Sequence, residues 1–430
     1  MTEARYIVGD ARQALAELPA ASVDLVVTSP PFLALRSYLP AEHEHKELEM
    51  GSEGTPGAFL DALLDVVVAC RRVLAPHGSL CIELGDTYAG SGGAGGDYAE
   101  GGLRDGQERF DGSASKAYGL GRAPRTARVG REAAYHSSNP NTKGRRDGWP
   151  LDKSLTLIPE TFRFALAYGR NPFTGRELEP WRLRNVVRWC RPNPPVGALG
   201  DKFRPATSEI AVACVARDRY FDLDGVRGGA ENVKDQRERT TNGPKQDADR
   251  AEVLTANYSQ RVPSHPGGAP PLDWWKISTR GYQGSHYATY PPELIDTLIK
   301  AMCPPRVCTT CGQPSRRVTE PSEAHAATLG KDMFGERHNT EFRHTAGRSR
   351  GDGKGNARVT AEFVTIGWTD CGHDTWRRGV VLDPFAGTGT TLAVATGHGH
   401  DAIGIDLDVR NVDLARERCG MFLVVEEPVA

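Results

Sequence analysis

Asp383-Pro384-Phe385-Ala386-Gly387-Thr388-Gly389-Thr390-Thr391 follows the apolar run Gly379 to Leu382 and precedes a short helical stretch ending near Thr396. Glycines in such a turn let the backbone bend tightly and approach a ligand with no Cβ in the way. The following helix would aim its first amides at that ligand. Some twenty residues on, Ala402-Ile403-Gly404-Ile405 reads as the next strand, and Asp406 ends it where a carboxylate can accept both hydroxyls of a ribose. Strand, turn, helix, strand and acid together predict an adenosine-type site on a doubly wound parallel sheet. A Gly-Lys-Ser/Thr string is absent, so a triphosphate-cradling loop is not expected.

Near the other end of the chain, Thr28-Ser29-Pro30-Pro31-Phe32 also follows an apolar run, Val23 to Val27. Both strings therefore stand where a buried parallel strand runs out into a loop, the place where open α/β sheets bind ligands. Between them the strand-helix-strand rhythm recurs. Tyr6 to Val8 reads as a strand and Ala11 to Leu18 as a helix; Phe59 to Leu74 is a helix stopped at Pro76-His77-Gly78, and Ser79 to Leu84 is a strand. Leu155 to Ala167 is a further helix candidate, with Leu183 to Trp189 and Ile210 to Ala216 as strands.

The two strings together resemble the amino-methylating DNA methyltransferases. In that family a polar-Pro-Pro-aromatic tetrad holds the target base and a glycine-rich turn holds S-adenosylmethionine. The order here, catalytic motif before cofactor motif, is that of the β class. The resemblance implies a Rossmann-like, doubly wound, mostly parallel methyltransferase sheet with circularly permuted motif order. It implies catalysis by Ser29, Pro30, Pro31 and Phe32. It also implies a cofactor site of Asp383, Pro384, Phe385, Ala386, Gly387, Gly389, Thr390, Thr391 and Asp406. Tyr287 to Leu294, with Thr289 and Tyr290, is similar to the segment that closes over the methionine end of the cofactor. Trp181 to Asn185, Arg191 to Pro194 and Arg204 to Glu209 resemble the family's downstream strands.

The tetrad has a chemical logic of its own. An exocyclic amine is a poor nucleophile because its lone pair is delocalised into the ring. Acceptors on its N–H groups pull the nitrogen towards sp³ and stabilise the positive charge that develops. The Ser29 hydroxyl and the Pro30 carbonyl supply two such acceptors, the prolines stiffen them, and Phe32 can stack on a base flipped out of the duplex. Ser at position 29 is typical of enzymes acting on the 4-amino group of cytosine, whereas adenine enzymes mostly carry Asp or Asn there. N4-cytosine methylation is thus the first reading and N6-adenine methylation the alternative, with a catalytically silent DNA-binding subunit as a further one. No Pro-Cys dipeptide occurs, which argues against covalent methylation of a ring carbon. Asp86, in Gly85-Asp86-Thr87-Tyr88, reads equally as a further acceptor near Ser29 and as a cap for the loop that follows.

Three polar stretches interrupt the pattern. The chain accordingly divides into a catalytic half (1–87), a Gly/Arg-rich insert (88–150), the rest of the catalytic half (151–221), a target-recognition insert (222–280), the cofactor-closing segment (281–307), a third insert (308–373) and the cofactor half (374–430). At the base of the third insert, Cys308-Thr309-Thr310-Cys311 and Cys371-Gly372-His373 offer two tight donor pairs of the kind that hold a tetrahedral Zn²⁺. A structural zinc is expected from Cys308, Cys311, Cys371 and His373.

The totals frame these readings. With 430 residues, 39% of them hydrophobic, the chain can bury a large core, and no run approaches a membrane span. A net charge of −2 does not advertise nucleic-acid binding, so a local basic face must do that work. Nine cysteines along so long a chain do not read as a secreted disulfide framework, and with no leader pattern a cytoplasmic protein is expected. Double-stranded DNA is the implied partner; a companion restriction enzyme and a homodimer stay open.

Overall fold

The computed structural model describes residues 2–34, 38–39, 43–89, 147–151, 153–194, 202–227, 270–279, 290–321 and 363–426. Most of the three inserts, and Thr289, lie outside them. By density of internal contacts the chain forms two units: Met1–Phe221 with Asp273–Pro314 and Thr375–Ala430, and Asp222–Leu272 with Ser315–Asp374.

The first unit is built on one nine-stranded sheet. Its strands are β1 (Ala4–Val8), β2 (Val23–Thr28), β3 (Leu74–Leu84), β4 (Arg182–Cys190), β5 (Thr207–Cys214), β6 (Trp274–Lys276), β11 (Val380–Asp383), β12 (Asp401–Asp406) and β13 (Leu423–Glu426). They lie in the order β13-β1-β12-β11-β2-β3-β5-β4-β6. From β13 to β3 all neighbours are parallel; β5 alone runs against both β3 and β4. This is a Rossmann-like, mostly parallel sheet, in which β1 from the start of the chain is inserted between β13 and β12 from its carboxyl-terminal segment.

Helices cover the sheet for reasons visible in their residues. They are α1 (Ala11–Glu17), α2 (Pro56–Val73), α3 (Ile158–Tyr168), α4 (Pro292–Met302), α5 (Thr390–Gly397) and α6 (Asn411–Cys419). In α2 the Thr55 hydroxyl caps the Ala58 amide at 3.1 Å and Pro56 stands in the first turn. Phe59, Leu60, Leu63, Leu64, Val67 and Cys70 then recur at helical spacing and are buried against the sheet. α2 lies between β2 and β3, whereas α5 leads from β11 to β12 on the other side. The connections thus diverge between β11 and β2, which makes the carboxyl ends of those two strands the topological switch point.

β3 differs from expectation. Rather than starting after Pro76-His77-Gly78, it runs through them from Leu74, with an irregularity that pairs Val23 with Leu74 and Leu25 with Ser79. The cause is electrostatic. Asp24, fully buried, accepts His77 Nε2 at 2.9 Å, Arg377 Nη2 at 3.0 Å and the Val380 amide at 2.8 Å. Burial alone would raise its pKa, but the bonds from His77 and Arg377 outweigh it and hold the carboxyl below its ordinary value.

Two small ladders complete the described strands. β7 (Arg306–Cys308) pairs antiparallel with β10 (Trp376–Arg378) in the first unit. β8 (Arg317–Pro321) pairs antiparallel with β9 (Phe363–Trp368) in the second, where Arg317 joins the Asp222 carboxylate at 2.8 Å. No helix among the described residues is long and apolar enough to cross a membrane.

Removing one partner of a buried pair strands the others, typically at about 3–5 kcal/mol. Asp24→Ala is expected to lower unfolding stability by about that amount in urea titration; a loss below about 1 kcal/mol would show that the cluster does not anchor β2 to β11.

Candidate active site and cofactor cavity

The two sequence strings, from opposite ends of the chain, meet at the switch point. β2 and β11 are paired through Val381 with Leu25 and Leu382 with Val26, so Thr28 and Asp383 end side by side. The Thr28 hydroxyl donates to Asp383 Oδ1 at 2.5 Å, the Phe385 amide to the same oxygen at 3.1 Å and the Tyr290 hydroxyl to Oδ2 at 3.0 Å. Thr391 also donates to Oδ2. Asp383 is buried, and burial raises its pKa despite these four donors. It therefore braces the turn from beneath instead of facing a ligand.

Above it lies a cavity of about 390 Å³. Ser29 and Pro31 line it from one string, and Pro384, Phe385, Ala386, Gly387 and Thr390 from the other, with Tyr290 and Asp406. Gly387 and Gly389 take φ of +49° and +74°, which side chains rarely adopt, and a Cβ at Gly389 would press on Ala415 of α6 at 3.1 Å. The Gly387 carbonyl accepts the buried Tyr6 hydroxyl at 2.7 Å. The turn is thus held open from three strands before any ligand arrives.

Asp406 ends β12 at the cavity wall. Its Oδ1 accepts the Asp408 amide at 2.8 Å and Asn411 Nδ2 at 3.0 Å, and its Oδ2 accepts the Gly387 amide at 2.8 Å. Burial pushes its pKa up to about 6. The carboxylate keeps lone pairs for further donors, as a ribose diol requires. Apolar walls, a glycine turn and an oriented acid fit the adenosine part of S-adenosylmethionine.

Ser29 is half-buried, and its hydroxyl donates to Glu83 Oε2 at 2.6 Å. Donation in that direction leaves the Ser29 oxygen free to accept. Glu83 lies at the end of β3 and is 5% exposed, with burial raising its pKa and the neighbouring Ser208, Ser29 and Arg191 tempering the rise. Sequence reasoning passed over this residue. The available signal was a lone acid inside the apolar run Leu80 to Leu84. Asp86, three residues on, is used otherwise: it accepts the Thr87 amide at 2.9 Å, the Leu157 amide at 3.0 Å and the Thr156 hydroxyl. Pro30 is buried. The Phe32 ring covers Gly85, where an added Cβ would lie 2.7 Å from the ring edge.

Asp10 is a second residue not anticipated. It caps α1, binds the Arg12 guanidinium at 2.7 Å and lines the cavity. Thr289 lies outside the described residues.

Cys308 ends β7 and Cys311 stands in the turn after it, closed by the Gly312 amide on the Cys308 carbonyl at 2.9 Å. Cys371 Sγ and His373 Nδ1 are 3.4 Å apart. Each pair, Cys308 with Cys311 in the first unit and Cys371 with His373 in the second, offers side chains of the kind that ligate zinc.

The family model described as DNA methylase matches residues 23–308 and 373–417. The chain belongs to this family. Among curated proteins, the chain is 28% identical over 220 residues to the Type II methyltransferase M.SfiI of Streptomyces fimbriatus, covering 51% of this chain and 38% of that one. It is 24% identical over 297 residues to M.Cfr9I of Citrobacter freundii, covering 69% and 72%, and 22% identical over 415 residues to M.SmaI of Serratia marcescens, covering 96% and 90%. The match thus spans well under half of M.SfiI but most of M.SmaI. Within the chain, the family match takes in both strings and the strands β2 to β5 that carry Ser29, Glu83 and Ser208.

The pH response of the cavity follows from Asp406. Ligand hydroxyls bond best to its ionised form, so affinity should be full well above its pKa of about 6 and fall as pH drops through that value. At the acid limit the fall approaches tenfold per pH unit. Calorimetric titration with S-adenosylhomocysteine between pH 5 and 8 should show this slope, and Asp406→Asn should weaken binding and flatten it.

Proposed function

We propose that this protein transfers a methyl group from S-adenosylmethionine to the exocyclic 4-amino group of cytosine in double-stranded DNA, after the base has been flipped from the duplex. One observation carries the reading. The Ser29 hydroxyl, pointed by its 2.6 Å bond to Glu83, borders the same cavity as the glycine turn. The cofactor supplies an electrophilic methyl group on a sulfonium. Ser29 Oγ and the Pro30 carbonyl accept the two N–H groups of the target amine and free its lone pair for in-line attack. As the methyl arrives, the amine becomes positive and more acidic. The proton can then pass to Ser29 while the Ser29 proton passes to Glu83, so no free charge builds up on the loop. The raised proton affinity of Glu83 suits it to this service.

Serine at position 29 supports cytosine over adenine, since the adenine enzymes of the resembled family mostly present Asp or Asn there. Kinship with Type II methyltransferases supports a modification role beside a restriction enzyme. The pairs Cys308 with Cys311 and Cys371 with His373 are assigned a structural Zn²⁺, since four protein donors leave a tetrahedral ion no open position for a substrate. Metal analysis of the purified chain should give one zinc per molecule, lost together with thermal stability in Cys311→Ser.

The test of the activity is to incubate unmethylated DNA of mixed sequence with the protein and S-adenosylmethionine, digest to nucleosides and weigh the products. N4-methyldeoxycytidine is the expected product. N6-methyldeoxyadenosine would overturn the choice of base and keep the chemistry, and no methylated nucleoside would overturn the reading. Ser29→Ala should lower turnover by about 10²–10³-fold, the usual cost of a lost group that stabilises developing charge, while S-adenosylhomocysteine affinity stays within about twofold.

A further inference from the structure

The loop between β4 and β5 presents one side chain the chemistry above does not use. Phe203 is 99% exposed, in the string Lys202-Phe203-Arg204. A phenylalanine wholly in water forgoes the burial that normally decides its place, and here it does so in the described stretch 202–206 whose neighbouring side chains are held. The bracing is specific. Arg204 donates to the Pro194 carbonyl, and the Lys202 ammonium sits 3.6 Å from the centre of the Tyr88 ring. At the base of the loop the Arg191 amide bonds the Ala206 carbonyl at 2.8 Å. Both immediate neighbours are tied down, and the ring between them is not.

The topology puts this ring at the catalytic pole. β5 runs against β3 with Ile210 opposite Glu83, so the residues leading into β5 lie at the end of the sheet where Glu83 holds Ser29. Phe203 is five residues before Ser208, which limits its distance from that residue to about 18 Å. A base can reach Ser29 only by leaving its stack, and a planar apolar side chain beside the exit can fill the gap it leaves.

We propose that Phe203 is a wedge that enters the duplex beside the target base and holds the flipped state open. The inference rests on the DNA-methylating reading and adds to it a residue that positions substrate without touching the reacting atoms. A wedge lowers the cost of unpairing, so its value must vanish when the target is already unpaired.

That difference sets the experiment. After sequencing locates the base methylated by the wild-type protein, two duplexes of that sequence are made, one fully paired and one with an abasic site opposite the target. Phe203→Ala should lower kcat/KM on the paired duplex by about 10- to 100-fold and regain most of it on the abasic duplex, with Phe203→Trp close to wild type on both. Equal loss on both duplexes, or no loss on either, overturns the wedge. Unchanged methylation accompanied by a shift in oligomeric state on light scattering overturns it too, and gives Phe203 to a contact between copies. A wild-type protein that methylates no DNA removes the reading and this inference together, a result distinct from failure of the variant alone.

Discussion

Asp383 is the interaction on which the rest depends. Its carboxylate receives Thr28 from β2, Tyr290 from the start of α4, and Thr391 and the Phe385 amide from its own turn. Thr28 lies 355 residues away in the chain. A backbone ladder alone would fix β2 beside β11 but not the pitch of the loops that leave them. One acid bonded to both loops sets that pitch, so the Ser29 string and the glycine turn line one cavity. Hydrogen bonds to a charged group are each worth about 1.5–3 kcal/mol, against several for burying the charge. The raised pKa says that burial wins, so Asp383 contributes geometry more than net stability.

This arrangement explains what was legible beforehand. The parallel half of the sheet could be read because its strands are continuous apolar runs that end in distinctive turns, as at Val23 to Val27 and Gly379 to Leu382. Pro56 and Thr55 make the start of α2 readable in retrospect, three residues ahead of the first apolar residue that marked it. The extension of β3 through Pro76-His77-Gly78 could not be read, since it depends on Asp24, fifty-three residues away, needing a histidine. Local punctuation said turn, and a buried ion cluster overrode it.

The site divides in the same way. Residue types announced the glycine turn, the tetrad and Asp406, because each chemistry demands a particular side chain at a strand end. Which acid serves Ser29 was not announced. Asp86 stands in an inviting turn, whereas Glu83 lies inside the strand, and only the pairing of β3 with β2 points one of them at the tetrad. The Asp86 carboxylate is spent on Thr87, Thr156 and Leu157, holding the return of the chain after the first insert.

Three acids stand at or next to the carboxyl ends of strands at this pole, Glu83 one residue before the end of β3, Asp383 on β11 and Asp406 on β12, and they differ in how much acceptor capacity the fold leaves them. Asp383 is saturated by four donors and stays structural. Asp406 takes three and still opens on the cavity, which suits a ligand that brings hydroxyls of its own. Glu83 holds the Ser29 hydroxyl on Oε2, while Oε1 has no well-aligned donor among the described residues. A carboxylate kept buried and under-bonded favours the protonated form and accepts a proton readily. Burial is common to all three, so burial alone does not mark the reactive one. The count of donors does, and it separates the saturated Asp383 from Asp406 and Glu83, which keep acceptor capacity at the same end of the sheet.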